Sequence, residues 1–154
     1  MSISQKYNGT IIGGIFTAIS FILTFTYIVP LLSIIPGAFV ESFMSSIVDN
    51  EPYSHVGKAT ILCLLIILIL SLLIILIWAR KTELKNGHIV GIMISEYFVI
   101  HSLGFYIYWA SSLNFRSDGQ LIFGAVNSFP ISSFGFVGIG VLIDSIKKRV
   151  DYKL

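Results

Sequence analysis

Charge is scarce in this sequence. Only 12% of its 154 residues are Asp, Glu, Lys or Arg, about half the share usual in soluble domains. Hydrophobic residues make up 55%. A soluble domain of this length could not hide that much apolar surface. Cysteine is nearly absent as well. Cys63 stands alone, which excludes a disulfide within the chain and any CxxC redox or zinc motif. It sits in an apolar run and reads as a small filler. The ten basic residues do not interleave with aromatics over a surface, so nucleic acid is excluded as a partner. No GxSxG, no glycine-rich phosphate loop, no zinc-ligand spacing and no serine–lysine pair at one depth occurs. The chain is therefore not read as an enzyme. No catalytic residue, no metal site and no cofactor is expected.

What the sequence does have is four long apolar stretches: 11–35, 59–79, 88–110 and 121–143, each over 20 residues. As helices they span a hydrocarbon core about 30 Å thick. They lack the ten-residue polar/apolar alternation of a membrane barrel. The expectation is an all-α polytopic integral membrane protein, one four-helix transmembrane domain over residues 1–154. The first stretch is too long for a cleaved signal and reads as a retained helix.

Lys and Arg set the orientation. With both termini inside, eight of the ten basic residues fall on the cytoplasmic side and two, Lys58 and Arg116, outside. The reading is a multi-pass protein of the cell membrane with cytoplasmic N- and C-termini. Trp78 at one face and Tyr106, Tyr108 and Trp109 at the other fit aromatic belts.

The longest loop, 36–58, contains "AFVESFMSSIVDN". Phe39, Phe43 and Ile47 recur on one face. Glu41, Ser42, Ser45, Ser46 and Asp49 take the other. With Pro36 before and Pro52 after, this predicts a short amphipathic helix in the outer interface. Asp118-Gly119 in the third loop reads as a tight turn, so the third and fourth helices should be antiparallel neighbours.

Small residues mark close-packing faces in lipid. Gly9, Gly13, Gly14 and Ala18 supply one in the first helix; the third and fourth carry further glycines. The second helix is aliphatic from Ile61 to Ile77 except for Cys63 and Ser71, which places it at the periphery. The fourth contains "NSFPISS". Pro130 lacks an N–H and frees the Val126 carbonyl, so a kink is expected there. Asn127, Ser128, Ser132 and Ser133 could satisfy the freed backbone or line a path.

The third stretch holds Glu96 and His101, costly groups in a membrane. Five residues apart, they point about 140° away from each other around a helix. His101 shares a polar-aromatic stripe with Tyr97, Gly104 and Tyr108. Glu96 shares a greasy stripe with Ile89, Ile100, Leu103 and Ile107. It needs a partner from another helix, with Thr24, Thr26, Tyr27, Asn127 and Ser128, Ser132 or Ser133 at usable depth. The candidates for a ligand or proton path are thus Glu96, Tyr97, His101, Tyr108, Asn127, Ser128, Ser132 and Ser133, with Pro130 as the kink.

With almost no mass outside the bilayer, the leading expectation is a non-catalytic subunit, scaffold or assembly factor of a larger membrane complex moving ions, electrons or solutes. Its partners would be lipid and other membrane subunits, or copies of itself. The alternative is a small proton-, ion- or solute-conducting transporter or channel. A quinone-binding redox subunit or intramembrane enzyme is the weakest reading. The topology has a direct test. In a variant with Cys63 replaced by Ala, a cysteine at position 116 should react with an impermeant maleimide from outside intact cells and one at 153 should not. The reverse pattern would invert the orientation.

Overall fold

The structure, a computed structural model, describes residues 7–26, 28–48, 53–81, 84–111 and 128–151. Among these residues the long helices are α1 (Asn8–Leu23), α2 (Ile28–Ile47), α3 (Tyr53–Lys81), α4 (Asn86–Ser111) and α5 (Phe134–Asp151). A short helical run, 128–132, precedes α5, with a turn at Ser133 between them. No strand occurs among the described residues. Four segments are long and apolar enough to cross a membrane: Ile28–Ile47, His55–Lys81, Asn86–Trp109 and Ser128–Lys147.

The first apolar stretch is not one helix. It breaks at Thr24–Thr26. Pro30 gives the physical reason. In an unbroken helix its ring would crowd the Thr26 carbonyl, and it has no N–H to give that carbonyl. Instead the Val29 N–H meets Thr26 at 3.2 Å, and Pro30 sits in the first turn of α2, where proline is tolerated. The α1 end is closed locally. The Thr24 hydroxyl donates to the Ser20 carbonyl and the Thr26 hydroxyl to that of Leu23.

Contacts with α4 show how the two pieces lie. Asn8 meets Asn86 at 2.9 Å, and Ser20 meets His101. Further along, the Ser102 hydroxyl donates to the Ser33 carbonyl and the Tyr106 hydroxyl to Glu41. Both pieces therefore run in the direction of α4, α1 along its first two-thirds and α2 along its last third. α2 is by itself long and apolar enough to cross a membrane. At 16 residues, α1 alone is about 24 Å long and too short.

The expected amphipathic helix after Pro36 is not a separate element. Its described part is the C-terminal half of α2, which runs through Pro36. The proline removes one N–H but does not end the helix, because α4 grips α2 on both sides of it. Ser33 and Glu41 are bonded to α4 as above. Between them Gly37 lies so close that a Cβ would sit 2.5 Å from the Tyr106 ring.

α3 runs opposite to α4. Trp78 packs on His88 with ring centroids 5.2 Å apart, and Ser71 pairs with Glu96 further in. Many of its side chains face outward, among them Leu62, Ile66, Leu70 and Ile74. The last pass also runs opposite to α4, with Gly135 against Ile100 and Ser132 against Gly104. α4 is thus the central element, with α1 and α2 running along its direction and α3 and α5 against it.

The tightest packing joins α1 to α5. A Cβ on Gly9 would lie 2.6 Å from the Gly140 carbonyl oxygen and 2.7 Å from Asp144 Oδ1. Gly13 abuts the Phe136 backbone in the same way, whereas Gly14 faces open space. Gly9→Val should therefore lower stability by about 2 kcal/mol or more through overpacking. Gly14→Ala should be neutral or slightly stabilising. Thermal unfolding in detergent compares them; equal effects would contradict this interface.

Candidate functional site

The polar centre is built near two helix interruptions, at 24–26 after α1 and at Ser133 before α5. His101 of α4 is fully buried. Its Nε2 lies 2.6 Å from the Ser20 hydroxyl of α1. Its Nδ1 lies 2.7 Å from the Ser132 hydroxyl. Ser133 reaches Ser20 at 2.9 Å. Ser132 and Ser133 both reach the Phe129 carbonyl, at 3.1 and 2.6 Å. These contacts close a ring: His101, Ser20, Ser133, the Phe129 carbonyl, Ser132 and back to His101.

The ring has five links. A neutral imidazole and three hydroxyls supply four hydrogens. With the hydrogen on Nδ1, His101 donates to Ser132 and Ser132 to Phe129, while Ser133 donates to Ser20 and Ser20 to Nε2. With the hydrogen on Nε2, His101 donates to Ser20, Ser20 to Ser133 and Ser133 to Phe129, while Ser132 donates to Nδ1. Either tautomer uses every side-chain hydrogen, and one link to Phe129 is left empty each time. No heavy atom moves between the two. Aromatic rings seal the site: Tyr97 edge-on at 4.5 Å, Phe129 at 4.3 Å and Phe136 at 5.7 Å from the imidazole.

The interruption of the last pass belongs to the same site. It falls at Ser133. Pro130 lies within the run 128–132, and the carbonyl it was expected to free, on Val126, lies outside the described residues, as does Asn127. The Phe129 carbonyl is shared by the Ser133 N–H at 3.0 Å and by the two serine hydroxyls. The Ser133 carbonyl turns to Phe136 N–H and to the Thr17 hydroxyl of α1, the latter at 2.8 Å. Serine hydroxyls competing for backbone groups in this way favour a break.

Glu96 lies on another side of α4. It is buried, and its partner is Ser71 of α3. Of the hydroxyls weighed for it from the sequence, that of Tyr27 lies outside the described residues. Thr24 and Thr26 cap α1, and Ser132 and Ser133 belong to the ring. The Ser71 hydroxyl also bonds the Leu68 carbonyl of its own helix. The second oxygen, Oε2, has no partner among the described residues.

Tyr97 packs on the imidazole, and its hydroxyl is also hydrogen-bonded to Ser20 and to Ser33 of α2; Tyr108 and Ser128 lie elsewhere. They line an open groove of about 740 Å³ between α3, α4 and the last pass. Its walls are otherwise apolar, with Leu72, Ile100, Ile107 and Ile139 among them, and Ser132 is part of the wall. Thus one ring member faces both His101 and the groove.

Sequence reasoning missed Asp144. Only 3% exposed, it reaches across to the start of α1. Gly9 N–H donates to Oδ1 at 2.9 Å, and Thr10 N–H and hydroxyl both donate to Oδ2 at 2.7 Å. Tyr7, at the N-cap position, makes no side-chain cap. The carboxylate therefore caps the orphan N–H groups of α1 from 134 residues away, at the positive end of the helix dipole. An acidic residue just before a basic tail carries no local sign of this role. Ser20 was missed as well, because a serine in an apolar run is unremarkable until a histidine faces it.

Ser20 and His101 resemble a nucleophile with its base, but both are sealed, and Nδ1 meets a hydroxyl rather than an orienting carboxylate. No group of three His, Cys, Asp or Glu side chains assembles among the described residues. No protein-family model matches the chain, and no curated protein or solved structure matches it either.

Two substitutions probe these links. Asp144→Ala should cost about 3 kcal/mol, since it strands helix-end donors in a buried site. His101→Phe should cost about 2 kcal/mol, and pairing it with Ser20→Ala should add much less than Ser20→Ala does alone. Equilibrium unfolding in mixed micelles measures both; additive effects would mean that Ser20 and His101 do not interact.

Proposed function

We propose that this chain is a non-catalytic helical subunit of a larger membrane complex, with four passes and both termini on the cytoplasmic side. The break in the first pass carries this reading. Residues 24–26 lie level with His101 and Ser102 of α4, well inside the segment Asn86–Trp109. Around the break, Phe25 is 68% and Ile28 72% exposed, and Thr26 is exposed too. Irregular backbone at hydrocarbon depth is tolerated only against protein or a water-filled cavity. The apolar side chains here do not suit a cavity, so a protein neighbour fits better. In the same reading, the exposed stripe Phe39, Phe43 and Ile47 of α2 lies toward the outer interface.

One observation favours the transporter reading. Interrupted helices in the first and last passes meet at one depth, an arrangement suited to binding sites in transporters. Against it, His101, Ser20 and Ser133 are enclosed and bond one another, which leaves Ser132 as the ring member that reaches a groove. Gentle extraction from the native membrane and measurement of the particle mass test the proposal. A stable hetero-complex is the expected result. A homo-oligomer that conducts by itself in liposomes, with flux abolished by His101→Ala, would replace it.

A further inference from the structure

We propose that the groove between α3, α4 and the last pass is a binding site for a lipid-soluble molecule whose head carries a carbonyl or hydroxyl oxygen, with the Ser132 hydroxyl as its polar contact. Three observations carry this. The groove holds about 740 Å³, within the range of small-molecule sites. Its walls are apolar, and Gly138 leaves open space where any other residue would place a Cβ. An apolar body fits there. Finally, Ser132 stands in the wall with His101 directly behind it at 2.7 Å.

The arithmetic of the ring makes Ser132 available. Its bond to the Phe129 carbonyl is, at 3.1 Å, the longest in the ring. That carbonyl also receives the Ser133 N–H. When the imidazole hydrogen sits on Nδ1, Ser132 can turn its own hydrogen from Phe129 to an oxygen in the groove. No buried donor or acceptor is stranded. When the hydrogen sits on Nε2, Ser132 donates to Nδ1 and can accept from a hydroxyl head. The ring thus adapts to a carbonyl or a hydroxyl by exchanging tautomers, and binding registers at His101. A quinone head on an alkyl tail has this chemistry. The proposal concerns binding alone and stands apart from the subunit reading.

The test uses the whole protein in lipid nanodiscs and two probes, 2-decyl-1,4-benzoquinone and decylbenzene, which has the same tail and ring but no oxygen. The quinone should bind at least about tenfold more tightly than decylbenzene and shift the His101 imidazole ¹⁵N resonances. Ser132→Ala should remove that preference. Gly138→Leu should fill the groove and weaken both probes while the melting temperature stays at the wild-type value. Equal affinity of wild-type protein for the two probes, or quinone binding that leaves the His101 resonances unmoved, would overturn the proposal. The comparison of probes on wild-type protein decides the matter even if a variant fails to fold.

Discussion

A polar side chain inside an apolar bundle has no water to turn to, and this constraint organises the molecule. An unbonded polar group there costs several kcal/mol. His101, Ser20, Ser132 and Ser133 satisfy one another and the Phe129 carbonyl within one ring. Because the ring takes members from α1, α4 and the last pass, satisfying the hydrogens also fixes how three helices meet. In a lipid bilayer there is no hydrophobic drive for such association, and these bonds and the close glycine contacts would have to supply it.

The two interruptions follow from the same rule. Each frees backbone groups, and each is closed by hydroxyls nearby: Thr24 and Thr26 on the α1 end, Thr17 and the serines around Ser133 on the last pass. At the other end of α1, Asp144 does for the helix start what the ring does near its finish. The contact with Gly9 and Thr10 is charge-assisted and buried, so it outweighs an exposed ion pair of the same length. α1 is therefore pinned at both ends, with Gly9 and Gly13 between the pins allowing the backbones of α1 and α5 to touch.

Much of this architecture can be read from local pattern. Runs of more than 20 apolar residues mark α3 and α4, whereas the run 11–35 divides between α1 and α2, and a spacing of five separates Glu96 from His101 around α4. The structure puts His101 toward α1 and Glu96 toward α3. Tyr97 shares the stripe and packs on His101. What local pattern does not carry is pairing across long sequence distance. Asp144 and Gly9, Ser20 and His101, and Ser71 and Glu96 meet only once the helices are arranged. Proline is an uneven guide. Pro30, in the middle of an apparently continuous span, marks a break that the hydropathy of 11–35 conceals, and the bonds that close it are local. Pro36 looks like a stop, yet the helix continues through it, held by bonds to α4 on both sides.

Solvent access to the imidazole is the most direct measure of whether the ring is closed. Protein labelled with ¹⁵N-histidine, reconstituted in bilayers and transferred to D₂O, can be followed by solid-state NMR. A closed ring predicts that the His101 ring N–H signal outlasts the signals of His55 and His88 by orders of magnitude. Exchange of His101 as fast as theirs would show that water reaches the centre of the bundle and would contradict the closed ring.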